Sequence, residues 1–268
     1  MDSQQNILDV QGLCVQFGGI KALNGVTFDV KEGSVTAIIG PNGAGKTTVF
    51  NCITGFYKAS EGDIVFRNGS QVYDVPKMID TWFGGSHSIA SKGIARTFQN
   101  IRLFDEMTAI ENLLVAQHNS LNRNILSGFF RLNSFKKSES QALNTAKKWL
   151  EIMGLLEDAN RPAGELPYGH QRRLEIARAM CTDAKLICLD EPAAGLNHKE
   201  TKELSDLILS LRNDHNVTVL VIEHDMALVM EVSDHIVVLD HGQVIAKGDP
   251  KEVRENPKVI AAYLGEES

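Results

Sequence analysis

The sequence predicts an α/β fold. A predominantly parallel sheet is covered by helices, with an antiparallel β part at the N-terminus and a helical subdomain inserted into the chain. Three observations carry this. Short apolar runs, "SVTAIIG" (34–40), "AKLICLDEP" (184–192) and "VTVLVIEHD" (217–225), read as strands buried on both faces. Helix-spaced segments lie between strands, the alternation that builds parallel sheets. Residues 100–180 hold helical patterns and no strong strand.

The elements follow in order. "ILDVQGLCVQFGGIKALNGVTFDVKEG" (7–33) alternates and carries turn glycines, which predicts antiparallel strands. "SVTAIIG" is the first buried strand, and "KTTVFNCITGF" (46–56) is the helix after it. Residues 67–93 are rich in Gly and Ser yet hold Trp82 and Phe83; a surface excursion or a partner-contact loop both fit. "ALNTAKKWLEIMGLL" (142–156) is an amphipathic helix ending near Gly154. Between the later strands, "HKETKELSDLILSLRNDHN" places Leu204, Leu207, Ile208 and Leu211 at helical spacing, a crossover helix. "DHIVVLDHGQVIAKGDP" (234–250) reads as a β-hairpin. Asp249, Pro250 and Glu252 then supply an N-cap, an N1 proline and an N3 acid for a final helix running to about residue 264. The expected organisation is a single domain over 1–268. Its core lobe is 1–98 and 181–268, and its helical lobe is 99–180.

Bulk properties narrow the function. With 268 residues there is ample length for a core, and a net charge of -7 argues against nucleic acid as the main partner. Cys14, Cys52, Cys181 and Cys188 form no C-x-x-C pair and no zinc spacing, which suits reduced thiols in a cytoplasmic protein. "MDSQQNILDV" lacks a basic-then-apolar signal pattern. No apolar run approaches the ~20 residues of a membrane span. Work at a membrane would need another chain to make the crossing.

The chemistry begins at "GPNGAGKTT", residues Gly40, Pro41, Asn42, Gly43, Ala44, Gly45, Lys46, Thr47 and Thr48. This is the phosphate-binding pattern G-x-x-x-x-G-K-[ST], set between a buried strand and a helix. The glycines let the backbone N–H groups turn inward around phosphate oxygens, and the helix N-terminus adds partial positive charge. Lys46 is expected to reach the β- and γ-phosphates, and Thr47 to ligate Mg²⁺. On its own this motif predicts only a P-loop NTPase core. "LICLDEP" sets Asp190 and Glu191 at a strand end. Asp190 suits the Mg²⁺ shell. Glu191 suits orienting or deprotonating the attacking water. A helix-capping acid pair is the alternative for the two acids in isolation. His224, ending the next such strand, can hydrogen-bond the γ-phosphate, or be merely structural. The Gln99 amide can join both Mg²⁺ and the attacking water, and so couple nucleotide state to the helical lobe.

Together these pieces resemble the ATPase cassettes of the ABC family over nearly the whole chain: Phe17, the P-loop at 40–47, Gln99, 166–171, 186–191, "AAGLN" (193–197) and His224. The resemblance implies that Phe17 stacks on adenine, although a core strand position also fits it. It implies that the segment Leu166, Pro167, Tyr168, Gly169, His170 stands where the family has Leu-Ser-Gly-Gly-Gln. There it would face the γ-phosphate held by a second cassette in a head-to-tail dimer. Pro167 lacks the usual serine's hydroxyl and backbone N–H. The N–H groups of Gly169 and His170 and the helix dipole remain, so an altered but working half-site is expected. Gly195, Leu196 and Asn197 form the interface loop; Asn197 stands where many cassettes have Asp, and its amide is expected to hydrogen-bond across the dimer.

Within that family the chain is most similar to bacterial cassettes powering high-affinity branched-chain amino acid uptake. The stretches are "GIARTFQNIRLFDEMTAIENLLVAQH" (93–118), "ANRPAGELPYGHQRRLEIAR" (159–178), "LDEPAAGLNHKETKEL" (189–204), "IEHDMALVM" (222–230) and "NPKVIAAYLGE" (256–266). The resemblance implies an ATPase that uses ATP and Mg²⁺, pairs with an identical or paralogous cassette, and binds two permease subunits. A periplasmic solute-binding protein is an indirect partner. The place is the inner face of a bacterial cell membrane, peripherally. Residues 100–135 are the expected permease-facing region; for Phe129 and Phe130 a place in it and packing within the helical lobe both fit. Urea and lipopolysaccharide cassettes are the near alternatives; a soluble non-transport ABC ATPase and a non-hydrolysing scaffold are the more distant ones.

Overall fold

The computed structural model describes residues 5–80, 84–117 and 133–264. The chain divides into two compact units, residues 1–99 with 185–268, and residues 100–184.

The first unit holds two sheets. Strands β1 (Asn6–Phe17) and β2 (Ile20–Lys31) pair antiparallel, as the alternation predicts. They are joined by β4 (Glu61–Asn68) and β5 (Gln71–Asp74) in the order β2-β1-β4-β5. The second sheet contains β3 (Val35–Ile39), β6 (Ile94–Arg96), β7 (Leu186–Asp190), β8 (Thr218–Ile222), β9 (His235–Asp240) and β10 (Gln243–Gly248), in the order β10-β9-β3-β8-β7-β6. Its pairings are parallel except for the edge hairpin β9–β10. Strands β3, β7 and β8 are buried at every residue, which is why they read as unbroken apolar runs.

Helix α1 (Lys46–Ile53) is embedded in the core of this unit. Its Val49, Phe50, Cys52 and Ile53 cluster with Leu8, Val10 and Phe28 of the antiparallel sheet and with Ile38, Leu220 and Leu239 of the parallel one. Fully burying each such side chain stabilises by about 1.5–3 kcal/mol. Cys52 and Cys188 are in this core, and burial pushes each thiol up to about 12. Neither supplies thiolate at neutral pH.

Register positions the chemistry. Ile38 sits beside Ile222, and Ile222 beside Asp190. Residues following the carboxyl ends of β3, β7 and β8 therefore emerge on one edge of the sheet, where ligands bind in open α/β folds.

Several expectations are corrected. Residues 67–93 are more than an excursion: they include the end of β4, β5, α2 (Val75–Ile79) and α3 (Ser86–Ala90). The strands β4 and β6 have no counterpart in the sequence reading. Beyond α8 (Met226–Val232), the final helix is two helices, α9 (Pro250–Arg254) and α10 (Pro257–Leu264). The predicted capping box at Asp249 and Glu252 is present. Pro257 then ends the run, because proline clashes with the preceding turn and biases Asn256 away from helix. Trp82, Phe83, Phe129 and Phe130 lie outside the described residues.

The second unit is helical in its described residues: α4 (Ala109–Ala116), α5 (Asn133–Ile152), a 3₁₀ turn at Ala163–Glu165 and α6 (Tyr168–Met180). A Thr108–Glu111 capping box starts α4. Helix α5 begins nine residues before the predicted 142, counting from Asn133. It stops where expected: Leu155 N–H reaches Leu150 O, Gly154 N–H reaches Glu151 O, and Gly154 has φ 66. That is a Schellman stop, which needs a left-handed residue. Among the described residues no helix is long and apolar enough to cross a membrane.

Candidate functional site

Strand β3 runs into the glycine loop at Gly40, whose φ is 148. A Cβ there would lie 2.0 Å from the Leu239 carbonyl oxygen, so only glycine fits. Gly45, at φ 100, is the residue before α1. The curled loop thus feeds directly into a helix N-terminus, a ready anion site. Lys46 is 6% exposed, and its Nζ donates to Gly40 O at 2.6 Å and Pro41 O at 2.9 Å. The ammonium is held within the loop's own curve. Thr47 is exposed on the same turn.

Strand β7 delivers the two acids to opposite situations. Asp190 is buried and receives Arg96 Nη2 on its Oδ2 at 2.7 Å. Glu191 adopts φ 47, rare for a residue with a side chain, and its N–H bonds Ile222 O. Such strain persists only where surrounding contacts over-determine it. Here they do. Glu191 Oε1 meets His224 Nε2 at 2.8 Å, and Oε2 receives Gln99 Nε2 at 2.7 Å. Two candidate residues, His224 and Gln99, from separate chain segments therefore converge on the carboxylate of a third, Glu191. A helix-capping role for the acids is not what the structure shows.

The sequence reading missed Glu223, the charged residue closing the apolar run of β8. It is 3% exposed and accepts backbone N–H groups from Ala193 (2.6 Å), His224 (2.9 Å) and Asp225 (3.3 Å). Burial pushes its carboxyl up, opposed by those three donors. It ties the loop after Glu191 to the segment carrying His224. A cavity of about 340 Å³ opens beside Glu191 and His224, with Leu196 and Asn197 on its wall. Asn197 caps α7 (His198–Asn213): its Oδ1 accepts from Lys199 and Glu200, and Glu200 Oε2 accepts from Asn197 N–H. Its carbonyl is used within its own helix, a task that Asn and Asp perform equally.

Phe17 ends β1 at 47% exposure, with its ring edge-on to Tyr57 at 5.2 Å. It is a surface ring and not a core strand residue.

In the helical unit, Pro167 precedes α6 with φ -54 and ψ 149. It stands outside the helix, as its N-cap, and its carbonyl takes the Gln171 N–H at 2.9 Å. Proline here breaks no helical bond. The Tyr168, Gly169 and His170 N–H groups form the first turn and lack intrahelical acceptors. His170 Nδ1 lies 3.0 Å from Asp158 Oδ2, and the Tyr168 hydroxyl accepts from Arg172.

The oxygen donors near the loop suit Mg²⁺, a hard cation that takes few protein ligands and completes its shell with phosphates and water. Among the described residues no three His, Cys, Asp or Glu cluster as a metal cage.

The chain matches the family described as "ABC transporter" over residues 23–194. Residues 243–268 match "Branched-chain amino acid ATP-binding cassette transporter". It is 56% identical to the high-affinity branched-chain amino acid transport ATP-binding protein BraF of Pseudomonas aeruginosa, covering 97% of this chain and 98% of that one. Among solved structures it is similar to the ADP conformation of the ATP-binding cassette MJ1267, with TM-score 0.81 and 37% identity, covering 97% and 99%. It is also similar to a dimeric post-hydrolysis structure of the cassette MJ0796 bound to ADP and Pi, with TM-score 0.72 and 25% identity, covering 91% and 98%.

Proposed function

The chain belongs to the ATP-binding cassettes of ABC transporters, and on that premise we propose that it is the ATP-hydrolysing subunit of an importer for branched-chain amino acids. The observation that carries hydrolysis is the Glu191 carboxylate, gripped by His224 and Gln99 at the strand edge beside the phosphate loop. The identity to BraF supports the solute class.

In this reading the loop Gly40–Thr48 wraps the phosphates, Lys46 binds the β- and γ-oxygens, and Phe17 stacks on the adenine ring. Thr47, Gln99 and Asp190 would hold Mg²⁺, which when bound would neutralise charge on the nucleotide's phosphoryl oxygens. An amide binds a hard cation through its carbonyl oxygen, the atom Gln99 would offer, while its nitrogen donates to Glu191. Glu191 orients and deprotonates the attacking water, and His224 fixes Glu191 and senses the γ-phosphate. The segment Pro167–His170 offers its N–H groups to nucleotide held by a second cassette, and Gly195, Leu196 and Asn197 line that contact. The missing donor at Pro167 weakens this half-site by about 1.5–3 kcal/mol, one hydrogen bond to a charged group. Two permease subunits and a periplasmic binding protein complete the assembly, with the cassette on the inner face of the cell membrane.

Vesicles containing this chain, its permease pair and the binding protein test the solute. With enclosed Mg-ATP they are expected to accumulate leucine, isoleucine and valine but not urea. Accumulation of urea, or of none of these, would reject the assignment.

A further inference from the structure

The Asp190 carboxylate is shared with a side chain that the proposed mechanism does not use. Arg96 ends β6, with its side chain 7% exposed. Its Nη2 donates to Asp190 Oδ2 at 2.7 Å. Its Nη1 donates to Asn51 Oδ1 at 2.6 Å and Thr54 Oγ1 at 3.1 Å. Asn51 lies on α1 and Thr54 caps it. The rings of Phe50, Phe56 and Phe98 surround the guanidinium, with centroids 5.7, 5.5 and 5.2 Å from Cζ. Nε is buried with no hydrogen-bond partner. A planar fork is thus fixed between the phosphate-loop helix and the metal-side acid, three residues before Gln99.

We propose that Arg96 is a positioning residue that holds one oxygen of Asp190 and leaves the other for the shell of the nucleotide's metal ion. It thereby sets both the aim of that carboxylate and the charge it presents. The proposal rests on the reading that Asp190 serves the metal. Two physical consequences follow, and they have opposite signs. Removing the cation strengthens the attraction of Asp190 for a divalent ion, because a unit charge at hydrogen-bond distance in a dry site is only weakly screened. It also lets the carboxylate turn, and misaimed groups lose rate steeply. Lysine keeps the charge but has no planar fork to span Asp190, Asn51 and Thr54.

The test uses Arg96→Met, Arg96→Lys and Asp190→Asn in the full chain. Turnover is measured in each variant alone. Mn²⁺ retention by the protein–ATP complex is read by electron paramagnetic resonance, with Glu191→Gln added so that ATP persists. For Arg96→Met, Mn²⁺ affinity is expected to rise about tenfold, while kcat falls about 100-fold with KM for ATP little changed. Arg96→Lys is expected to keep wild-type Mn²⁺ affinity and recover part of kcat. A merely structural strut would lower affinity and rate together, or lower only the melting temperature, and either result overturns the proposal. If Arg96→Met does not fold, Arg96→Lys decides: wild-type kcat in it overturns the positioning role. Unchanged Mn²⁺ affinity in Asp190→Asn instead overturns the reading of Asp190 on which the proposal rests.

Discussion

Glu191→Gln is expected to lower steady-state ATP turnover by about 10²–10⁴-fold, the range that a positioned general base contributes. ATP affinity should stay within a few-fold of wild type. The amide keeps the side chain's shape and can still accept from Gln99 Nε2, so the constellation stays assembled. What it loses is the basic oxygen that now meets His224 Nε2. Phosphate release together with equilibrium binding of a fluorescent ATP analogue separates the two quantities. Ordinary turnover in this variant would remove Glu191 from the role of base.

Lys46→Ala should act on the other quantity. Its ammonium is the cation at the loop mouth, already aimed inward by Gly40 O and Pro41 O. Each charge-assisted hydrogen bond to phosphate is worth about 1.5–3 kcal/mol. Losing contacts to two phosphoryl groups should therefore cost at least about 100-fold in ATP affinity. Circular dichroism should show the fold retained. Isothermal titration showing wild-type affinity would mean that the loop does not cradle the phosphates as described.

Much of this was legible before any coordinates. The strands β3, β7 and β8 were clear because both faces are buried, which leaves no polar residue to blur the run. The glycine loop was clear because one irregular backbone shape demands glycine at fixed places, as the Leu239 contact at Gly40 shows. Strands β4 and β5 were hidden, because a half-buried strand such as "EGDIVFRN" acquires its pattern only from its partner strands. Arg96 was hidden for a different reason. Its partner Asp190 is 94 residues away in sequence, and no local pattern records so distant an ion pair. Asn197 could have been read differently. The run "NHKE" places an N-cap residue three before a glutamate, a capping box, and the structure uses it so. The final helix likewise carried its own stop signal in Pro257.

The central claim is that ATP joins two cassettes, with Pro167–His170 of one facing nucleotide on the other. Light scattering of Glu191→Gln, alone and with the permease pair, before and after Mg-ATP, tests it most directly. The single chain has a mass of 29.5 kDa. The account predicts that Mg-ATP, and not Mg-ADP, doubles the number of cassettes in the particle, with ATP retained unhydrolysed. A particle that binds ATP normally yet keeps one cassette under both conditions would contradict it.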